Sequence, residues 1–91
     1  MLNLNLGKPA KRYLEKLPPK HFRQIDRKIE QLRTQPFPQD SKLLSGCDLY
    51  RVDSGEYRIV YKVIGEILYV PLIGKRNDDE VYKRLRRLLQ R

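Results

Sequence analysis

The sequence has one cysteine, one histidine and no long run of apolar residues. A single thiol, Cys47, cannot close an intramolecular disulfide, and no stretch approaches the ~18 apolar residues needed to cross a bilayer. The opening Met1-Leu-Asn-Leu-Asn-Leu6 has neither the basic start nor the continuous apolar core of a secretory signal. A reducing cytoplasm is therefore the expected setting, with no membrane partner. A glycine-rich phosphate loop, a Ser or Cys nucleophilic triad and a dinucleotide fingerprint are also missing. His21 and the one acidic cluster, Asp78-Asp79-Glu80, do not supply the gathered oxygen and imidazole ligands of a catalytic metal, so neither metal nor cofactor is expected. His21 reads instead as a solvated residue in the first turn of a helix, and the three acids as a helix start.

Acidic residues are in the minority throughout. Twenty Lys and Arg face 11 Asp and Glu, for a net charge of +9, which points to a polyanionic partner. Residues 1–45 carry ten basic and four acidic side chains, and residues 46–91 carry ten and seven. The excess is spread over the fold rather than held in a disordered arm. With 91 residues the chain supports one core and not two, so a single domain over 1–91 is expected.

Leucines 2, 4 and 6 alternate with Asn3 and Asn5, the period of a strand with one buried face, and Gly7 ends it. Between Lys8 and Leu17, Ala10, Tyr13, Leu14 and Leu17 fall at helical spacing, and Pro18-Pro19 closes that helix and opens the next. In the second helix Phe22, Ile25, Ile29 and Leu32 make the buried stripe, with Arg23, Arg27 and Lys28 among the residues left to solvent. Pro36-Phe37-Pro38 stops it. Residues 39–48 read as a polar connection. A three-stranded meander follows: Leu49–Val52, a Ser54-Gly55 turn, Tyr57–Ile64, a Gly65-Glu66 turn and Ile67–Ile73. Pro71 cannot donate to a ladder and implies an edge or a bulge. Asn77 to Glu80 has capping-box spacing, and Val81, Leu85, Leu88 and Leu89 then line one side of a basic helix. The expected fold is α+β, in the order β-α-α-β-β-β-α.

The residues left for chemistry are cations and phenols on the meander and just after it: Tyr50, Arg51, Arg58, Tyr61, Lys75, Arg76 and Tyr82. Alternation puts Arg58 on a face with Val60 and Lys62, and Tyr57, Ile59 and Tyr61 on the other. A ribonuclease without a metal needs such a set, because RNA supplies its own nucleophile in the 2′-hydroxyl. The protein must orient it, stabilise a phosphorane and help the 5′-oxygen leave. The competing reading is structural: Arg58 pairs with Asp53 or Glu56, and Tyr82 is a core phenol.

The run Leu49-Tyr-Arg-Val-Asp-Ser-Gly-Glu-Tyr-Arg-Ile-Val-Tyr61, with Leu72-Ile-Gly-Lys-Arg76 and Glu80-Val-Tyr82, resembles the RelE/ParE superfamily of bacterial toxins. Lys16-Leu-Pro, Ile29-Glu-Gln-Leu32 and Lys42-Leu-Leu-Ser-Gly46 extend the resemblance over nearly the whole chain. The resemblance implies a toxin of a toxin–antitoxin pair. RelE-type members cleave mRNA in the ribosomal A site, and ParE-type members poison DNA gyrase without a nuclease site. It also implies an acidic antitoxin in a heterotetrameric complex, and a ribosomal surface of 16S rRNA and A-site mRNA. The arginines of the RelE branch map onto Arg58 and Arg76 and its tyrosine onto Tyr82, and the first of two basic residues that the branch holds at alternating positions of the preceding strand maps onto Arg51, which joins the expected catalytic set. The second, a lysine linked in that branch to proton abstraction, falls on Asp53 or is lost in a slightly shorter turn. Asp53 is then either the base itself or a partner that holds Arg58 or Arg51 until substrate arrives. Lys75, Arg23, Arg27, Lys28, Lys83, Arg84 and Arg87 are the expected RNA-binding residues.

Overall fold

The computed structural model describes residues 1–77 and 80–89. Strand β1 (Asn3–Leu6) leads into helices α1 (Lys8–Glu15) and α2 (Pro19–Thr34). Strands β2 (Lys42–Leu43), β3 (Tyr50–Ser54), β4 (Tyr57–Ile64) and β5 (Ile67–Lys75) follow, and helix α3 (Glu80–Leu89) closes the described chain. The five strands form one sheet in the order β1-β5-β4-β3-β2, antiparallel except for the β1–β5 pair. No helix of the described residues is long and apolar enough to cross a membrane.

The α+β class and the order of the main elements agree with the sequence, and the differences are local. The connection over 39–48 contains β2, whose Lys42 and Leu43 pair with Arg51 and Tyr50. A strand of two residues is too short to show a period. Strand β3 is shifted to Tyr50–Ser54, and the reversal falls on Gly55-Glu56, where Gly55 adopts φ +59°. Helix α1 stops at Glu15 rather than Leu17, with Lys16 as its C-cap, because the residue before Pro18 is pushed out of the helical region. Strand β5 continues two residues past Ile73 to Lys75.

Two apolar layers sandwich the sheet. The first holds Ala10, Leu14, Ile25, Ile29 and Leu32 of the α-hairpin against Val52, Tyr57, Ile59, Tyr61, Leu68, Val70 and Ile73. Truncating a side chain such as Ile29 or Ile59 to alanine would cost about 2–5 kcal/mol. Phe22 does not join this layer: it is 39% exposed, and the α2 stripe consists of Ile25, Ile29 and Leu32. His21 is not solvated. It is half-buried, its Nδ1 lies 2.5 Å from the Tyr57 hydroxyl, and its ring meets that phenol edge-on.

The second layer is α3 on the opposite face, where Val81 and Leu85 pack with Val60, Leu72, Leu44 and Leu49, and Leu88 covers them in part. Asp78 and Asp79, the side chain of Glu80 that would complete the expected capping box, and the side chain of Leu89 lie outside the described residues. Pro71 is accommodated by a bulge. Register shifts between Val60 and Lys62, so that Val70 and Pro71 share the place opposite Tyr61. Pro71 and Leu72 then both turn toward α3, each lining a groove with Leu88. The side-chain period of β5 is thereby reset, and Gly74 falls on the α3 face.

Candidate functional site

The site is built where β3, β4 and β5 lie side by side under the start of α3. Arg58 is paired in register with Asp53 of β3 on one side and with Gly74 of β5 on the other. An arginine in a central strand is costly unless its charge and donors are met. Here Nε donates to Asp53 Oδ1 at 2.9 Å, and Nη2 lies 3.5 Å from Oδ2. Nη1 donates to the Tyr82 hydroxyl, and the guanidinium carbon lies 5.7 Å from the centre of that ring. The side chains of Arg58 and Asp53 are 14% and 33% exposed, so the pair is screened from water on the sheet side but remains open to solvent.

Gly74 makes this arrangement possible. A Cβ there would lie 2.1 Å from Val81 Cγ2, so only a glycine lets α3 seat with Val81 on the sheet and Tyr82 beside Arg58. The sequence offered this signal in Gly74-Lys-Arg76, but its packing role was visible only once α3 was placed.

Arg51 lies two residues before Asp53 on the same face of β3, half-buried and opposite Val60. Arg76 is exposed, and its amide donates to the Glu56 carbonyl at 2.9 Å, tying the end of β5 to the β3–β4 turn. Electrostatics reports the same convergence. The hydrogen bond from Arg58 holds the Asp53 carboxyl below its ordinary value, partial burial opposes this, and the charges of Arg58, Arg51 and Arg76 reinforce it. The hydrogen bond to Asp53 in turn raises Arg58, against the effect of burial.

Of the expected site residues, Arg51, Asp53, Arg58 and Tyr82 therefore meet on one face, with Arg76 at its rim. The structural alternative holds for Arg58 alone, which does pair with Asp53, while Glu56 sits exposed in the turn. Tyr82 is half-buried with its hydroxyl engaged, and so is not an ordinary core phenol. Lys75 is not brought into this group. It is exposed opposite Tyr57, whose ring belongs to the α-hairpin layer. Tyr50 and Tyr61 also turn to that layer, stacked at 6.0 Å, with the Tyr61 hydroxyl donating to the Pro36 carbonyl at 2.6 Å. Lys62 pairs with Asp48 at 3.5 Å.

The helix-borne cations occupy both sides of the sheet. Arg23 and Arg27 are exposed on α2, whereas Lys28 is half-buried and ion-paired with Asp40 at 3.2 Å. Lys83 and Arg87 are exposed on α3, and Arg84 is half-buried. Cys47 is a free, half-buried thiol. Among the described residues, no three His, Cys, Asp or Glu side chains gather as metal ligands would.

No protein-family model matches the chain. It is 34% identical over 80 residues to the toxin RelE1 of Methanocaldococcus jannaschii, covering 81% of this chain and 89% of that protein. The isolated E. coli RelE toxin shares its fold with a TM-score of 0.74 and 26% identity, over 98% of this chain and 99% of that one. The intact E. coli RelBE toxin–antitoxin complex gives 0.73 at 26% identity, over 82% of this chain and 96% of that one. With this identity, coverage and shared fold, the chain belongs to the RelE family of toxin–antitoxin toxins.

Proposed function

We propose that the chain is a ribosome-dependent endoribonuclease that cleaves mRNA in the A site without a metal and so inhibits translation. The observation that carries this reading is the grouping of Arg58 with Tyr82 and Asp53, ringed by Arg51 and Arg76, on one solvent-open face. The 2′-hydroxyl of the substrate loses its proton and attacks the adjacent phosphorus, negative charge builds on the phosphorane oxygens, and the P–O5′ bond breaks as the 5′-oxygen takes up a proton, leaving a 2′,3′-cyclic phosphate and a 5′-hydroxyl. Fixed guanidinium donors aimed at that charge lower the barrier, and removing one such donor typically costs ~10²–10³ in rate. In this reading Arg58 and Arg76 supply that stabilisation. Tyr82 offers a hydroxyl beside Arg58 for proton exchange with the reacting oxygens and a ring for stacking.

Asp53 suits positioning better than proton abstraction. A carboxyl held below its ordinary value by an arginine is a weak base but an effective counter-ion. Its role is then to orient Arg58, and the ordered guanidinium is the working group.

The exposed Arg23, Arg27, Lys83 and Arg87, with Arg84 and Lys75, are the proposed contacts to ribosomal RNA. The partner that restrains the toxin is an acidic antitoxin, supported by the RelBE complex among the solved relatives and by the charge of +9. The relatives reported above are RelE proteins, and no observation specifically favours gyrase as the target.

The test is incubation with translating ribosomes and mapping of mRNA 3′ ends. New ends in the A-site codon that vanish with Arg58→Ala support the reading; intact mRNA with the unaltered protein opposes it.

A further inference from the structure

A cleft between α1 and α3 is left unused by the Arg58 site. It measures about 370 Å³ and is lined by Pro9, Arg12, Tyr13 and Lys16 of α1 and by Arg84 of α3. Arg12 and Lys16 lie four residues apart, on one face of α1, and both are exposed. Neither forms an ion pair among the described residues. Arg84 adds a third positive charge from across the gap.

The apolar wall is fixed as well. Pro9 sits one helical turn before Tyr13, and the Tyr13 ring meets Tyr57 edge-on, with centroids 6.2 Å apart and planes at 75°. Tyr57 is buried and held through its hydroxyl by His21 at 2.5 Å. The flat surface of Tyr13 is thus backed by the core rather than free to swing.

Arg84 lies two residues beyond Tyr82, about 200° further around α3. Tyr82 lines a cleft with Leu44, Cys47 and Arg86, whereas Arg84 faces Pro9. Tyr82 and Arg84 thus face different clefts on α3.

We propose that the α1–α3 cleft binds one nucleotide of single-stranded RNA, with its phosphate among Arg12, Lys16 and Arg84 and its base against Tyr13 and Pro9. Three cations around a small opening match a phosphate, and an aromatic wall accepts a base of any sequence. The volume is near the lower end of ligand pockets, roughly 300–1,000 Å³, which fits a mononucleotide unit and not a duplex. An acidic peptide would answer the cations but leave the flat wall unused. The proposal concerns binding alone and stands whether or not the Arg58 site cleaves RNA.

The experiment is a titration of the full chain, followed by backbone amide shifts, with adenosine 5′-monophosphate, adenosine, inorganic phosphate and hexaglutamate as separate probes. Adenosine 5′-monophosphate should move the amides of residues 10–16 and of Arg84. Adenosine and phosphate alone should bind at least ~10-fold more weakly, since each uses half of the site. Arg12→Glu and Lys16→Glu, both at exposed positions, should each weaken nucleotide binding about tenfold while leaving the melting temperature within a few degrees of the unaltered chain. Shifts confined to the Arg58 and Tyr82 face, unchanged affinity in both variants, or hexaglutamate binding as tightly as the nucleotide would each overturn the proposal.

Discussion

Asp53 stands directly across the β3–β4 ladder from Arg58 and accepts a hydrogen bond from its Nε at 2.9 Å. Because Nη1 is given to Tyr82 and Nη2 also leans toward Asp53, all three guanidinium nitrogens are engaged in the free protein. A phosphate reaching Arg58 must share it with a carboxylate already in place. The ordered arginine and its internal counter-ion are the two sides of one device.

The first prediction separates positioning from base catalysis. Asp53→Asn keeps an acceptor oxygen opposite Arg58, so cleavage should fall by no more than ~10-fold, whereas Arg58→Ala should lose about 10²–10³. Single-turnover cleavage on translating ribosomes measures both. A loss in Asp53→Asn equal to that of Arg58→Ala, together with the disappearance of the acid limb of the pH–rate profile, would make Asp53 the base.

The same pair gives a pH dependence of stability. The Asp53 carboxyl is lowered from its ordinary 3.8, so the ion pair contributes fully above that value and is lost as pH falls through the lower folded value. The unaltered protein should melt higher than Asp53→Asn at neutral pH, and the gap should close as pH falls through the ordinary carboxylate value and below it. Melting curves of the two proteins across that range check it, and a gap that persists in acid would contradict it.

Gly74→Ala addresses the seat of α3. The added Cβ meets Val81 at 2.1 Å, and such overpacking typically costs ~1–3 kcal/mol. The helix should shift off the sheet, separating Tyr82 from Arg58. The expected outcome is a folded protein with a lower melting temperature and activity reduced toward that of Tyr82→Ala. Normal activity in Gly74→Ala would show that α3 need not sit where the structure has it.

Periodicity made most of this fold legible. The two-residue alternation of Tyr57–Ile64 placed Arg58 and Val60 on one face and the tyrosines on the other, as observed, because a half-buried strand must obey that period. The bulge was foreshadowed by Pro71, which has no amide to give. What stayed hidden depended on long-range contacts. Nothing around Lys42–Leu43 announces an edge strand. His21 looked solvated until β4 brought Tyr57 to it from 36 residues away. Phe22 fits the α2 stripe by spacing, yet lies beyond the edge of the layer that stripe covers. At the site, residue types suggested chemistry and pairing equally, and the geometry shows Arg58 paired with Asp53 while it also donates to Tyr82.

Charge on the helices should govern ribosome binding. If Arg23 and Arg27 on α2, and Lys83 and Arg87 on α3, contact phosphates, affinity should fall steeply with salt. Arg23→Glu/Arg27→Glu should weaken binding and flatten that slope without altering cleavage once bound. Sedimentation with ribosomes at several salt concentrations measures this, and an unchanged slope would remove α2 from the interface.

The most direct test of the central claim is the position of mRNA 3′ ends on translating ribosomes exposed to the unaltered protein, Arg58→Ala and Tyr82→Phe. Ends within the A-site codon are expected for the unaltered protein, fewer for Tyr82→Phe and almost none for Arg58→Ala. Equal cleavage by all three proteins, or none by the unaltered one, would contradict it.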